Sequence, residues 1–283
     1  MTNLALVEDA TRKQSECAIH GTFTATQLPP LATKGSQMAS LTKPYFTGCP
    51  ACEADREARR QAQESRDKDA EFMRRLRGAN IPLRFSDKTL GDYGAASDAQ
   101  RRILEIAKEY AANFNEHFAA GRCLILSGKV GTGKTHIACG ILRKIIVKPF
   151  ADAEGNAWKS AKSHLVRYTT ASGLIRAIRD TWNKSGVSEE DAIRKFTDPD
   201  LLVLDEVGRQ FGSDAERTHI EELIDLRYQE MKPTIVCTNV EKSQLPQFLG
   251  ERGLDRLREN AGIMAVCDWA SHRGSERGKG DAK

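Results

Sequence analysis

A chain of 283 residues has room for one sizeable core and a small appendage, because domains usually take about 100–200 residues. Its formal charge of only +4, with 29% of residues charged, excludes binding to nucleic acid through an overall field and leaves local patches as the only electrostatic route. No apolar run reaches about 18 residues, and Glu8 and Asp9 interrupt the first stretch, so neither a membrane span nor a signal peptide is expected and a reducing, cytoplasmic setting is.

Seven cysteines, an odd number without an export signal, argue for metal binding or buried thiols over a disulfide framework. Spacing separates the two fates. Cys17-x2-His20 and Cys49-x2-Cys52 each let one tight turn present two ligands, and three thiolates with one imidazole suit tetrahedral Zn²⁺. The segment between them is too poor in large apolar residues to form a core, whereas bound zinc can supply on the order of 10–16 kcal/mol. Residues 1–52 are therefore expected to be a small structural zinc module, an appendage suited to reaching a partner. Cys123, Cys139, Cys237 and Cys267 lie in apolar patterns and are expected to be buried thiols.

Residues 53–79, beginning EADREARRQAQESRDKD, carry charges of both signs and almost no apolar residue before Phe72, which predicts a solvated helix or a flexible tether ending near Gly78. From Ile81 the pattern becomes that of an α/β domain, placed at 80–273 and followed by a flexible tail at 274–283. Ser97-x-x-Gln100 reads as a capping box opening a helix with Ile103, Ala107, Tyr110, Phe114 and Phe118 on one face, closed by Gly121. Short apolar runs then recur at 123–126, 164–168, 201–204, 234–237 and 262–266, separated by helical stretches. That alternation predicts a five-stranded parallel sheet flanked by helices, its strands buried on both faces.

The stretch SGKVGTGKTH follows the first of these runs and precedes a helical pattern. In that context Gly128, Val130, Gly131, Thr132 and Gly133 form a loop whose backbone N–H groups can wrap a polyphosphate. Lys134 can reach the β- and γ-phosphates, Thr135 can offer its hydroxyl to Mg²⁺, and His136 completes the segment. The implied ligand is a nucleoside triphosphate with its metal. The run LLVL delivers Asp205 and Glu206 to a strand end, where two adjacent carboxylates are costly without a cation. Asp205 is expected to hold Mg²⁺ and Glu206 to activate the attacking water. Asn239 can touch the γ-phosphate if its strand lies between the two just described; otherwise it begins a turn.

GKVGTGKT, LLVLDEVG, TIVCTN, GERGLDRL (250–257) and DWASHR (268–273), in this order and preceded by IPLRFSDKTLGDY, resemble the AAA+ helicase loaders of the DnaC and DnaI type, and a close relative, the IstB-like ATPases of insertion sequences, shares most of them. The resemblance covers about residues 80–273. It implies an AAA+ P-loop fold, ATP hydrolysis and loading of a hexameric replicative helicase onto single-stranded DNA. Carried over by residue, it makes Asn239 sensor 1, Arg256 an arginine finger offered to a neighbouring subunit, and Arg273 sensor 2, with His272 where these loaders often have Tyr. A trans finger implies self-assembly with ATP sites at subunit interfaces. The helix at 171–182 is the candidate DNA contact, with Leu174, Ile178 and Trp182 packed inward and Arg176 and Arg179 free for phosphates. Two other readings remain: an ATPase that selects target DNA for a transposase, and an adaptor that binds ATP without hydrolysing it.

Overall fold

A computed structural model describes residues 11–28, 45–147, 164–182, 186, 188–209 and 214–271. The chain divides between Glu71 and Phe72 into two compact units. Arg273, His272 and the segment 274–283 lie outside the described residues.

The first unit holds a three-stranded antiparallel sheet that the sequence did not announce. Strand β1 (Arg12–Cys17) pairs with β2 (Gly21–Leu28), and β2 pairs with the two-residue β3 (Tyr45–Phe46). Only Ala25 of β1 and β2 is buried and most of their residues are polar, so the period-2 apolar signal of a half-buried strand is absent. Helix α1 (Pro50–Gly78) begins immediately after Cys49 and continues past Glu71. Proline at its first position suits a helix start, where the missing N–H would have no partner anyway.

The second unit is built on one parallel sheet in the order β5-β6-β7-β4-β8. Its strands are β4 (Leu124–Gly128), β5 (Val166–Thr170), β6 (Leu201–Val207), β7 (Thr234–Thr238) and β8 (Ile263–Cys267), each with its ends within three residues of those of an expected apolar run. Because side chains alternate along a strand, each run feeds both faces. Leu124, Leu126, Leu201, Val203 and Ile235 join one core with helices α2 (Asp98–Ala112) and α4 (Lys134–Val147). Ile125, Leu202, Leu204 and Val236 join the other. That second core is covered by α5 (Ala171–Arg179), α6 (Glu189–Thr197), α7 (Asp214–Gln229), α8 (Leu245–Leu249) and α9 (Glu251–Arg258). Cys123, Cys139, Cys237 and Cys267 are all buried free thiols, as their apolar settings predicted.

Two expectations need correction. The capping box at Ser97 and Gln100 is present, but the helix it opens stops at Ala112. Asn113 leaves helical geometry (φ −106°, ψ 28°), and a short α3 (Phe114–Ala119) follows. The apolar face survives the break because Phe114 and Phe118 both pack against the buried His164, with ring centroids 4.7 and 5.0 Å away. Trp182 does not pack inward. Helix α5 ends at Arg179, three residues before it, and the indole is exposed; the buried stripe is Ala171, Leu174, Ile175 and Ile178.

Far from the strands' carboxyl ends, Arg227 of α7 is only 1% exposed. Its guanidinium donates to the carbonyls of Phe196, Thr197, Pro199 and Pro233 and to Thr234 Oγ1, at 2.6–3.2 Å. Burial pushes its pKa down to about 10. A buried charge is tolerable only when its donors are satisfied this fully, and here the planar fork ties the loops below β6 and β7 together.

Candidate nucleotide and metal sites

The loop between β4 and α4 lies at the carboxyl end of the sheet, where open α/β folds bind ligands. Gly128 has φ +143°, and a Cβ there would fall 2.1 Å from the Cys267 carbonyl oxygen, so only glycine lets β4 turn this close to β8. Lys134 is 6% exposed. Its ammonium donates to the carbonyls of Gly128 and Lys129, both at 2.7 Å, so the cation is folded back over the loop. Thr132 Oγ1 closes the loop by donating to the same Lys129 carbonyl.

Across from the loop, Thr135 Oγ1 donates to Asp205 Oδ2 at 2.7 Å. Two separate parts of the sequence, 70 residues apart, therefore meet at one carboxylate. Tyr168, in the middle of β5, donates its hydroxyl to the same oxygen at 2.8 Å. Burial, and next the Asp205 charge, raise the tyrosine pKa far above its ordinary value, so it remains a donor. Asp205 Oδ1 accepts from the Glu206 backbone N–H at 2.7 Å. This hydroxyl–carboxylate pair fits Mg²⁺, a hard cation that takes oxygen ligands and is usually held by one or two protein groups plus phosphate.

The sheet order answers the question left by Asn239: β7 lies between β6 and β4, so Asn239, one residue past its end, stands between the Lys134 loop and the Asp205–Glu206 strand end. Thr238 Oγ1 donates to the Val207 carbonyl and Ser127 Oγ to the Val240 carbonyl, pinning the three strand ends together. His136 Nε2 bonds the Thr89 carbonyl at 2.9 Å, and its ring meets Tyr93 edge-on. Val130 is exposed at the loop tip.

Spacing gave no warning of the groups that grip the loop from outside. Tyr93 Oη and Trp269 Nε1 both donate to the Thr132 carbonyl, at 2.9 and 3.1 Å, and Asp268 pairs with Lys129 at 2.7 Å. Arg256 is half-buried and engaged within its own chain, paired with Asp225 and lying over the Tyr228 ring at 5.2 Å. Arg179 reaches Glu216 at 3.0 Å, so of the two arginines expected to be free on α5 only Arg176 shows no such pairing among the described residues.

In the first unit, one tight turn and one helix start supply the second cluster. Cys17 and His20 flank the β1–β2 turn, Cys49 precedes α1, and Cys52 lies in its first turn. All four ligand atoms lie within 4.8 Å of one another, with His20 Nδ1 3.3–3.8 Å from the three sulfurs. Tetrahedral zinc, with bonds of about 2.0–2.3 Å, requires edges of about 3.3–3.8 Å, so the donor set and the spacing fit the ion. Backbone N–H groups of His20 and Ile19 lower the Cys17 thiol to about 6, while its hydrogen bond to Cys17 raises Cys52 to about 11.

The family of IstB-like ATP binding proteins matches residues 60–274. This chain belongs to that family. It is also 30% identical over 221 residues to the replicative helicase loader DnaC of Escherichia coli K12, which covers 78% of this chain and 83% of that protein. The DnaC of Buchnera aphidicola from Schizaphis graminum is 30% identical over 246 residues, covering 85% and 93% of the two chains. A crystal structure of the DnaC helicase loader superposes with a TM-score of 0.52 at 24% identity, covering 65% of this chain and 99% of that one. The fold is therefore AAA+, and this IstB-like chain binds ATP. No helix among the described residues is long and apolar enough to cross a membrane.

Proposed function

We propose that this IstB-like chain is an ATP-hydrolysing loader that places a hexameric replicative helicase on single-stranded DNA in the bacterial cytoplasm. Kinship with DnaC loaders across most of both chains carries this reading. The Thr135–Asp205 bond, which joins the loop to the strand end, supports the chemical half of it. Lys134, which sits on two loop carbonyls, would hold the phosphate oxygens of ATP, and Thr135 and Asp205 would hold Mg²⁺. The metal supplies neutralisation of phosphate charge. Glu206 orients and deprotonates the attacking water, while Asn239 holds the γ-phosphate end of the site.

Arg256 serves as the finger for a neighbouring subunit's nucleotide once it leaves Asp225, and Arg273 acts at its own. ATP sites at subunit interfaces follow from that arrangement. Arg176 of α5 contacts the DNA backbone. The Cys17, His20, Cys49 and Cys52 cluster holds Zn²⁺ and stiffens a module that grips the helicase. A pull-down with the cognate replicative helicase tests the partner: capture by the full chain with ATP is expected, whereas capture of a transposase in its place would support the target-selection reading. Glu206→Gln should bind ATP as the wild type does and not hydrolyse it.

A further inference from the structure

The turn leaving β6 is built in an unusual way. Leu204 pairs with Val236, but the next matched pair is Val207 with Thr238, so the ladder slips at Asp205 and Glu206. Glu206 itself has φ +58°, a conformation that a non-glycine residue keeps only where its surroundings fix it. The Arg209 N–H then donates to the Glu206 carbonyl at 3.1 Å, closing a four-residue turn with Gly208, φ +98°, at its third position. A positive φ there is the requirement of a type II turn. A Cβ on Gly208 would meet Val240 Cγ1 at 2.4 Å, so the turn is also pinned against the residue after Asn239.

This turn brings one side chain onto another. Arg209 Nη1 donates to Glu206 Oε1 at 2.6 Å, with the two side chains 65% and 39% exposed. We propose that Arg209 is a positioning residue that holds the Glu206 carboxylate off the attacking water and so keeps basal ATP hydrolysis slow. The inference rests on Glu206 being the general base. A base acts only within hydrogen-bond reach of the proton it takes, and a carboxylate oriented by a guanidinium must first turn away from it. Because exposed ion pairs are weak, Arg209 slows the reaction without blocking it.

The test is steady-state hydrolysis of ATP by the full-length protein, with kcat and KM separated. Arg209→Ala should raise kcat about two- to fivefold with KM for ATP unchanged, the size expected when an exposed ion pair is lost. Arg209→Lys, which keeps the charge without the fork, should raise it less. Glu206→Gln should abolish turnover both alone and combined with Arg209→Ala. If Arg209→Ala leaves kcat unchanged or lowers it, while melting as the wild type does and while Glu206→Gln is inactive, the proposal is wrong and the general-base reading stands. Undiminished hydrolysis by Glu206→Gln would overturn the general-base reading and the proposal with it.

Discussion

Replacing Lys134 by alanine should separate nucleotide binding from folding. The ammonium satisfies the carbonyls of Gly128 and Lys129. Its loss leaves the Gly128 carbonyl without that donor, at a cost of about 1–3 kcal/mol if it stays dry, while the Lys129 carbonyl keeps the Thr132 hydroxyl. The loop tip is open to water, as the exposed Val130 shows, so the lower end applies: about 1 kcal/mol, or roughly 2–4 °C in the melting of a unit this size. Nucleotide gives the larger signal. ATP with Mg²⁺ at a hundred times its Kd should stabilise the wild type by about 2.7 kcal/mol, a rise of roughly 5–11 °C. Losing two charge-assisted bonds to phosphate, at about 1.5–3 kcal/mol each, weakens binding by about 10²–10⁴ and leaves a shift of about 1 °C or less. Thermal melts with and without ATP read both quantities. A Lys134→Ala protein that keeps the full nucleotide-induced rise would refute the assignment of this loop as the phosphate cradle.

Two further outcomes concern Arg227 and the zinc cluster. Arg227→Leu removes the donor shared by four carbonyls and Thr234, and should cost about 3–5 kcal/mol, as the loss of one partner in a buried charged network does. Denaturant unfolding with the m-value unchanged measures it, and a loss under 1 kcal/mol would show that water replaces the guanidinium. Removing zinc with a chelator should strip amide-exchange protection from 11–28 and 45–52 and leave the ATP-induced melting shift intact. Unaltered exchange after metal removal would mean that the hairpin holds without an ion.

Much of the second unit was legible because its signals are local. A strand buried on both faces must be apolar at consecutive positions, so each of LLVL and TIVC marks its own strand. The glycine-rich loop, the ligand pairs at 17 and 20 and at 49 and 52, and the Ser97 capping box are likewise fixed by spacings of a few residues, since one turn sets them. The β1–β2–β3 sheet was not legible, because its strands bury little and so lack apolar alternation. Trp182 was misplaced because helical periodicity was extended past Arg179, where the helix ends.

The sequence by itself determined which residues can hold a triphosphate and which can hold a soft metal, because those chemistries need particular side chains at short, fixed intervals. Only the tertiary structure decided what each of them touches. The strand order that sets Asn239 between Lys134 and Asp205, the Tyr168 hydroxyl on Asp205, the Asp225 partner of Arg256 and the Arg209 fork on Glu206 all depend on how segments pack or turn against one another. Most of these contacts join residues tens of positions apart, and the energy of such packing is shared among many side chains, so no short stretch of the chain carries its imprint.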